Sequence, residues 1–194
     1  MTSRIDNIAG LDEVGRGSLF GPVFAAAVIL DNLSEVILRG KGLRDSKKLT
    51  SKKRAYLVPL IKKNCLAWAI GQASSREIDQ IGIRDATEKA MLRALKGIKE
   101  PIEMIIVDGV LPIKDWGGPQ QTLIKGDEKN MAIAAASVLA KESRDSLIKR
   151  LSKRFPEYGL DKNVGYGTKH HRKIIAQLGP TSLHRKSFLS KIIR

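Results

Sequence analysis

Residues 10–22, GLDEVGRGSLFGP, constrain this chain more than any other stretch. The apolar lead-in IAGLDEV and the run-out PVFAAAVIL read as two neighbouring strands, with the glycines between them as the turn. Two adjacent acids, Asp12 and Glu13, stand where the first strand meets that turn. Gly10, four residues, Gly15, Arg16 and Gly17 superficially match a phosphate-binding loop. Such a loop needs Lys and then Ser or Thr after its second glycine. Arg16 and Gly17 hold those positions, and Asp12 and Glu13 would repel a phosphate, so a nucleotide-binding loop is rejected.

The other use for two acids beside glycines is to hold a divalent cation that in turn holds a phosphate. Mg²⁺ takes oxygen ligands, one or two of them protein carboxylates, and accepts phosphate oxygens in its remaining positions. Two such ions about 3.5–4 Å apart can activate water and stabilise the leaving oxygen of a phosphodiester. That site needs three or four carboxylates. Adjacent strand residues face opposite ways, so the strand must end or twist at Asp12 and Glu13 for both to serve. Asp108 closes the short apolar strand MIIVDG. An acid there lies on the sheet rim, where open α/β sheets build their sites. Alone it would be an ordinary Asp-Gly turn; beside the Asp-Glu pair it becomes the third ligand. For the fourth, Asp127 and Asp145 compete. They are 18 residues apart in the sequence, up to about 27 Å if the span is helical. Asp127 lies at a junction between elements, whereas Asp145 is mid-helix and can pair with a neighbouring Lys or Arg, so Asp127 is chosen.

Charge adds a partner. The net charge of +15 is concentrated in residues 38–63 (+9) and 141–194 (+10), with −4 over the remainder. Two basic blocks around a mildly acidic remainder suggest a nucleic acid, held at the edges and handled at the acidic centre. Neither block has a bulky apolar face to insert into a membrane. The longest apolar run, Val23 to Leu30, has 8 residues, too short for a span. The N-terminus lacks the apolar core of a signal peptide, and the one cysteine, Cys65, fits a reducing compartment, so a cytoplasmic protein is expected.

With 194 residues and no repeats or linker, a single domain is expected over 1–194. Further strands are read at LAWAIGQA, MIIVDG and QTLIKG. Helices are read over 51–63 with Thr50 or Ser51 as N-cap, over 75–97 with a break near Gly82, over 129–154, and near 168–178 and 186–193. This is an α/β domain on a mixed sheet. Residues from about 155 to 194 form a helical C-terminal extension expected to bind substrate.

GLDEVGRG, DSKKL, IIVDG, KGD followed by IAAASVLAK and RD, GYGT and HRKSF occur in this order along nearly the whole chain. Together they resemble ribonuclease HII, the type 2 ribonuclease H of bacteria. The resemblance implies a ribonuclease H-like fold, a five-stranded mixed sheet flanked by helices. It implies endonucleolytic cutting of the RNA strand of RNA–DNA hybrids, and cutting 5′ of a single ribonucleotide in duplex DNA. The ends would be 3′-hydroxyl and 5′-phosphate, the metal Mg²⁺ or Mn²⁺, and the working form a monomer. By position, the resemblance puts the metal ligands at Asp12, Glu13, Asp108 and Asp127. It puts the element that reads the ribose 2′-hydroxyl through backbone groups at Gly15, Arg16 and Gly17. Phosphate contact falls on the DSK segment, with Ser46 and Lys47, and Arg185 is a further expected substrate contact. Tyr166 falls where the family packs a ring against a sugar; from the residues alone it could equally be a packed loop aromatic. Arg44, Gly82 and Glu142 depart from the family pattern.

Three other readings are open to a basic chain, one of them a metal-dependent DNA nuclease or resolvase on the same fold, which pure-DNA substrate would distinguish. A metal-independent ribonuclease would use histidines as acid and base, but His170 and His171 are adjacent and poorly placed for opposite sides of one phosphate. A non-catalytic nucleic-acid-binding module explains the charge but not acids on apolar strands.

Overall fold

A computed structural model describes residues 7–43, 49–190 and 192. Five strands form one sheet in the order β3-β2-β1-β4-β5. They are β1 (Ile8–Val14), β2 (Val23–Ile29), β3 (Ala67–Ala73), β4 (Met104–Asp108) and β5 (Gln120–Leu123). β1–β2 and β2–β3 are antiparallel, while β1–β4 and β4–β5 are parallel. The mixed sheet and its helical flanks agree with the expected fold class.

The buried Ala and Val side chains of β2 alternate between two cores, one on each face of the sheet. On one face, Ala25, Ala27 and Ile29 meet α3 (Ser75–Gly97) through Ile78, Ala86, Ala90 and Leu95. On the other, Ala26 and Val28 meet α1 (Asn32–Gly40), α2 (Ser51–Asn64) and α5 (Met131–Ser152). The alanines of α5 let it approach closely: a Cβ on Gly10 would lie 2.5 Å from the backbone of Ala132 and Ile133. Hence β1 needs glycine where the site-bearing strand crosses the helix.

α3 is broken at Gly82 (φ 81°, ψ 161°), as read from the sequence. Thr50 caps α2 by accepting from Lys53 N at 3.3 Å. The structure differs from the sequence reading at four points. α1, capped by Asp31 at 2.7 Å from Ser34 N, was not anticipated. β5 ends at Leu123. The expected 129–154 helix is α5, which starts after Asn130, whose side chain accepts from Ile133 N at 3.0 Å, and a further short helix, α4 (Gly126–Lys129), stands before it. Near the C-terminus, the described helical turn is only a 3-10 turn at Lys186–Phe188.

The C-terminal part, with α6 (Leu160–Asn163) and α7 (Lys169–Leu178), builds a third core. Leu19 and Phe20, from the loop after β1, pack there with Ile148, Tyr158, Leu160, Ile175 and Leu189. The glycine loop is therefore clamped between the sheet and the C-terminal segment.

Candidate active site

The register of the sheet assembles the acids. β1 and β4 run parallel, and their last paired residues are Leu11 and Val107. One step further along each strand stand Asp12 and Asp108, side by side on the same rim. Asp12 is buried at 6% exposure and its Oδ1 accepts from Glu13 N at 2.7 Å. Ser137, on α5, also hydrogen-bonds its side chain. Glu13 pairs with Arg16, Oε1 to Nη1 3.4 Å. Asp108 Oδ1 accepts from Gly126 N at 2.7 Å, which fastens α4 to the end of β4. Asp127, the next residue of α4, is buried at 1% exposure.

Burial raises Asp12 well above the ordinary carboxylate range, and the charges of Glu13 and Asp108 add to the rise. Ser137 and the Glu13 amide oppose it. Burial also raises Glu13, with Asp108 adding and Arg16 opposing. Three carboxylates thus feel one another across the rim. Their donor set is oxygen only, which fits a hard divalent cation of the Mg²⁺ or Mn²⁺ kind and not a soft one. Among the described residues no three acids are already drawn round one point. Asp12, Glu13 and Asp108 each turn an oxygen to a protein donor instead. An ion would have to compete with these bonds, and the mutual repulsion favours that exchange.

The glycine element lies beside the acids. Gly15 has φ 89°, and a Cβ there would strike the Arg144 side chain. A Cβ on Gly17 would meet nothing within 4 Å, so its backbone is open to an approaching molecule. Tyr166 is brought against this loop: Ser18 and Tyr166 form an antiparallel bridge, and Leu19 N donates to Gly165 O at 2.9 Å. Its ring lies 5.4 Å from the Arg144 guanidinium. A cleft of about 220 Å³ opens next to the acids, lined by Glu13, Arg16, Arg84, Asp108 and Val110 among others.

Arg185 is corrected. It is fully buried, with Nε donating to Gly21 O at 2.9 Å and Nη1 to Arg16 O at 2.8 Å. It holds the glycine loop from behind and does not face solvent. Ser46 and Lys47, with Arg44, lie outside the described residues. Asp145 pairs with Lys141 Nζ at 3.0 Å and with Arg54 at 3.6 Å, the structural role expected for it. Glu142 joins the same network through Arg54 at 3.9 Å.

Sequence reasoning missed Ser137 and Arg144. Ser137 interrupts an alanine run, which was a usable signal. Arg144 is fully buried and donates to Pro22 O, Val164 O, Phe20 O and Ser18 Oγ. Nothing in its neighbours distinguishes it from a surface arginine. His170 is exposed, while His171 and His184 are buried and face each other away from solvent, which removes the histidine pair as exposed acid and base.

The sequence model of the family described as ribonuclease HII matches residues 9–191. A ribonuclease HII of Prochlorococcus marinus (strain MIT 9313) is 59% identical over 192 residues, covering 99% of this chain and 88% of that protein. One from strain NATL1A is 61% identical over 185 residues, covering 95% of each. Among solved structures, the ribonuclease H2 of Pyrococcus horikoshii OT3 superposes with a TM-score of 0.81 at 26% identity, covering 96% of each chain. The chain belongs to the ribonuclease HII family.

Proposed function

We propose that this chain is a metal-dependent endonuclease that hydrolyses the RNA strand of RNA–DNA hybrids. The proposal extends to cutting 5′ of a single ribonucleotide in duplex DNA, leaving 3′-hydroxyl and 5′-phosphate ends. It would thereby clear ribonucleotides left in DNA by replication. One observation carries the reading. The end of the Leu11–Val107 pairing sets Asp12, Glu13 and Asp108 on one rim, and the same turn continues into the loop bridged to Tyr166.

Asp12, Glu13, Asp108 and Asp127 are the residues that would hold Mg²⁺ or Mn²⁺. When bound, a pair of such ions polarises the phosphodiester and lowers the pKa of the attacking water. The rest is the chain's own work. Ser137 and the Glu13 amide hold the Asp12 carboxylate in place. The Asp108–Gly126 bond keeps Asp127 beside the strand end. Arg16 is exposed and can turn from Glu13 to an incoming phosphate. The open backbone at Gly17 lets main-chain groups reach a 2′-hydroxyl, the atom that separates RNA from DNA. Tyr166 offers its ring to the neighbouring sugar. Lysines and arginines of the two basic blocks grip phosphates without reading sequence.

No helix among the described residues is long and apolar enough to cross a membrane. We read the working form as a cytoplasmic monomer, which sedimentation of the purified chain tests for its oligomeric part. The function is tested by incubating duplex DNA carrying one ribonucleotide with the protein and mapping the product ends. Cleavage 5′ of the ribonucleotide, abolished by EDTA, is expected. Cleavage that survives EDTA, or cutting of all-DNA duplex at the same rate, contradicts the reading.

A further inference from the structure

Behind the Tyr166 loop lies a pair of histidines that the cleavage chemistry does not use. His171, in the first turn of α7, is 0% exposed, and His184, before the last 3-10 turn, is 1% exposed. Their Nε2 atoms are 3.1 Å apart. His171 Nδ1 lies 2.9 Å from Tyr166 O. His184 Nδ1 lies 2.9 Å from both Thr181 N and Thr181 Oγ1.

These contacts determine both tautomers. A carbonyl only accepts, so His171 Nδ1 carries its hydrogen. In a neutral ring His171 Nε2 is then bare and needs a donor, which is His184 Nε2–H. His184 Nδ1 is left bare and faces the Thr181 N–H, a donor. The Thr181 hydroxyl donates to the same nitrogen and accepts from Leu183 N at 3.3 Å. Every link is satisfied, and the chain runs one way, from Thr181 through His184 and His171 to Tyr166. A proton added to His171 would set two N–H groups against each other across 3.1 Å. A proton added to His184 would set its Nδ1–H against Thr181 N–H.

The surroundings favour neutral rings. Tyr158 packs 5.0 Å from His184 and 6.2 Å from His171, with its hydroxyl turned to Gly179 O. The Phe20 ring covers His184 at 5.0 Å. His170 and Arg185 adjoin the pair along the chain, and among the described residues no carboxylate hydrogen-bonds either ring. Burial lowers His171, the bond to Tyr166 O opposes this, and the His170 charge adds to the fall. Burial, then His171, push His184 down to about 4.

We propose that His171 and His184, as a neutral pair, are positioning residues that fix Tyr166 against the Gly15–Gly17 loop and so set selectivity for a lone ribonucleotide in duplex DNA. The hydrogen bonds close a circuit. They run from Tyr166 through both rings to Thr181, then by the chain to Arg185, whose Nη1 holds Arg16 O at 2.8 Å. Ser18 completes it by bridging to Tyr166. The selectivity part rests on the sugar-facing role of Tyr166 given above; the holding of the loop does not. Because both folded-state pKa values lie below the unfolded histidine value of about 6.5, the unfolded chain binds protons first as pH falls. The stabilisation from the pair is therefore complete above about pH 6.5 and is lost as pH falls towards the folded values.

The test is a long-range ¹H–¹⁵N correlation spectrum of the full chain, with cleavage assays on two substrates. At about pH 7, His171 should be the Nδ1–H tautomer and His184 the Nε2–H tautomer. The opposite tautomer at either ring, or titration of either at the ordinary histidine pKa, overturns the proposal. His171→Leu should lower kcat/KM on the single-ribonucleotide duplex about tenfold, or about 1.4 kcal/mol, and change the continuous hybrid far less. His171→Asn, whose amide can still donate to Tyr166 O, should recover part of that loss. Should the leucine variant fail to fold, the wild-type ratio of the two kcat/KM values against pH serves instead. That ratio should stay level while the pair is neutral and fall as pH approaches the folded values, about 4 for His184; a ratio still level there overturns the selectivity role. Tyr166→Ala separates the two readings. Equal losses on both substrates with the tautomers as stated would overturn the sugar contact and keep the holding role. Wrong tautomers would overturn the pair and leave the sugar contact standing.

Discussion

The rim of carboxylates and the C-terminal wall flank the same glycine loop and treat their polar groups in opposite ways. On the rim, buried Asp12 and half-buried Glu13 stand next to each other and to Asp108; burial raises both, the charges of Glu13 and Asp108 add to the rise of Asp12, and Arg16 opposes that of Glu13. In the wall, Arg144 and the histidine pair are buried with a hydrogen-bond partner on each side-chain nitrogen. Repulsion left in place makes a site that a cation can relieve. Hydrogen bonds from buried side chains to the loop's carbonyls make a frame that holds it still. The difference separates two jobs, cutting at the rim and choosing at the wall, and each is open to attack.

The largest effect should come from the rim. Asp108→Asn removes one ligand charge while its amide oxygen can still accept from Gly126 N. Turnover in Mg²⁺ should fall by about a thousandfold or more, roughly 4 kcal/mol at the transition state. Hybrid binding in Ca²⁺ should stay within a few-fold and the fold should not weaken, since repulsion with Asp12 and Glu13 is reduced. Near-normal turnover would remove Asp108 from the site.

The wall should respond in stability. Arg144→Met leaves the buried carbonyls of Phe20, Pro22 and Val164 without this donor. The cost should be about 3–5 kcal/mol, at roughly 1–3 kcal/mol for each buried acceptor left unsatisfied, seen as a melting temperature lower by on the order of 10 °C. A variant as stable as wild type would show that the wall is not a hydrogen-bonded frame.

Acidity sharpens the contrast further. The raised pKa values of Asp12 and Glu13 mean that these groups keep protons to a higher pH than ordinary carboxylates. A metal must displace those protons, so Mg²⁺ affinity should weaken as pH falls, up to about tenfold per pH unit for each proton released. Calorimetric titration at several pH values checks the sign; an affinity independent of pH would mean that the acids bind no ion. Smaller still is the junction between α4 and α5. Asn130→Ala removes the cap bond to Ile133 N and should lower stability by about 1 kcal/mol in a denaturant titration.

The rim was legible because acids on apolar strands are exceptional: Asp12 and Glu13 stand out as a pair, and Asp108 stands out beside them. The wall was not. Arg144 and Arg185 read like any basic residues, because burial of a guanidinium depends on carbonyls more than 120 residues away for Arg144 and more than 160 for Arg185. His171 and His184 meet only when two segments fold together, and no local spacing signals it. α4 was hidden because its four residues are too few to show a helical period.

The division of labour is tested most directly by kcat/KM for wild type and Tyr166→Ala on two substrates, a continuous RNA–DNA hybrid and a DNA duplex with one ribonucleotide. In the mixed duplex only one sugar carries the 2′-hydroxyl, so alignment depends on a few contacts at that junction. In the continuous hybrid a slipped register still presents a cuttable bond. A ring against one sugar should contribute about 1–3 kcal/mol, so the single-ribonucleotide substrate should lose roughly five- to over a hundredfold while the hybrid loses much less. Equal losses on the two substrates would contradict the division and leave Tyr166 as a packed residue of the wall.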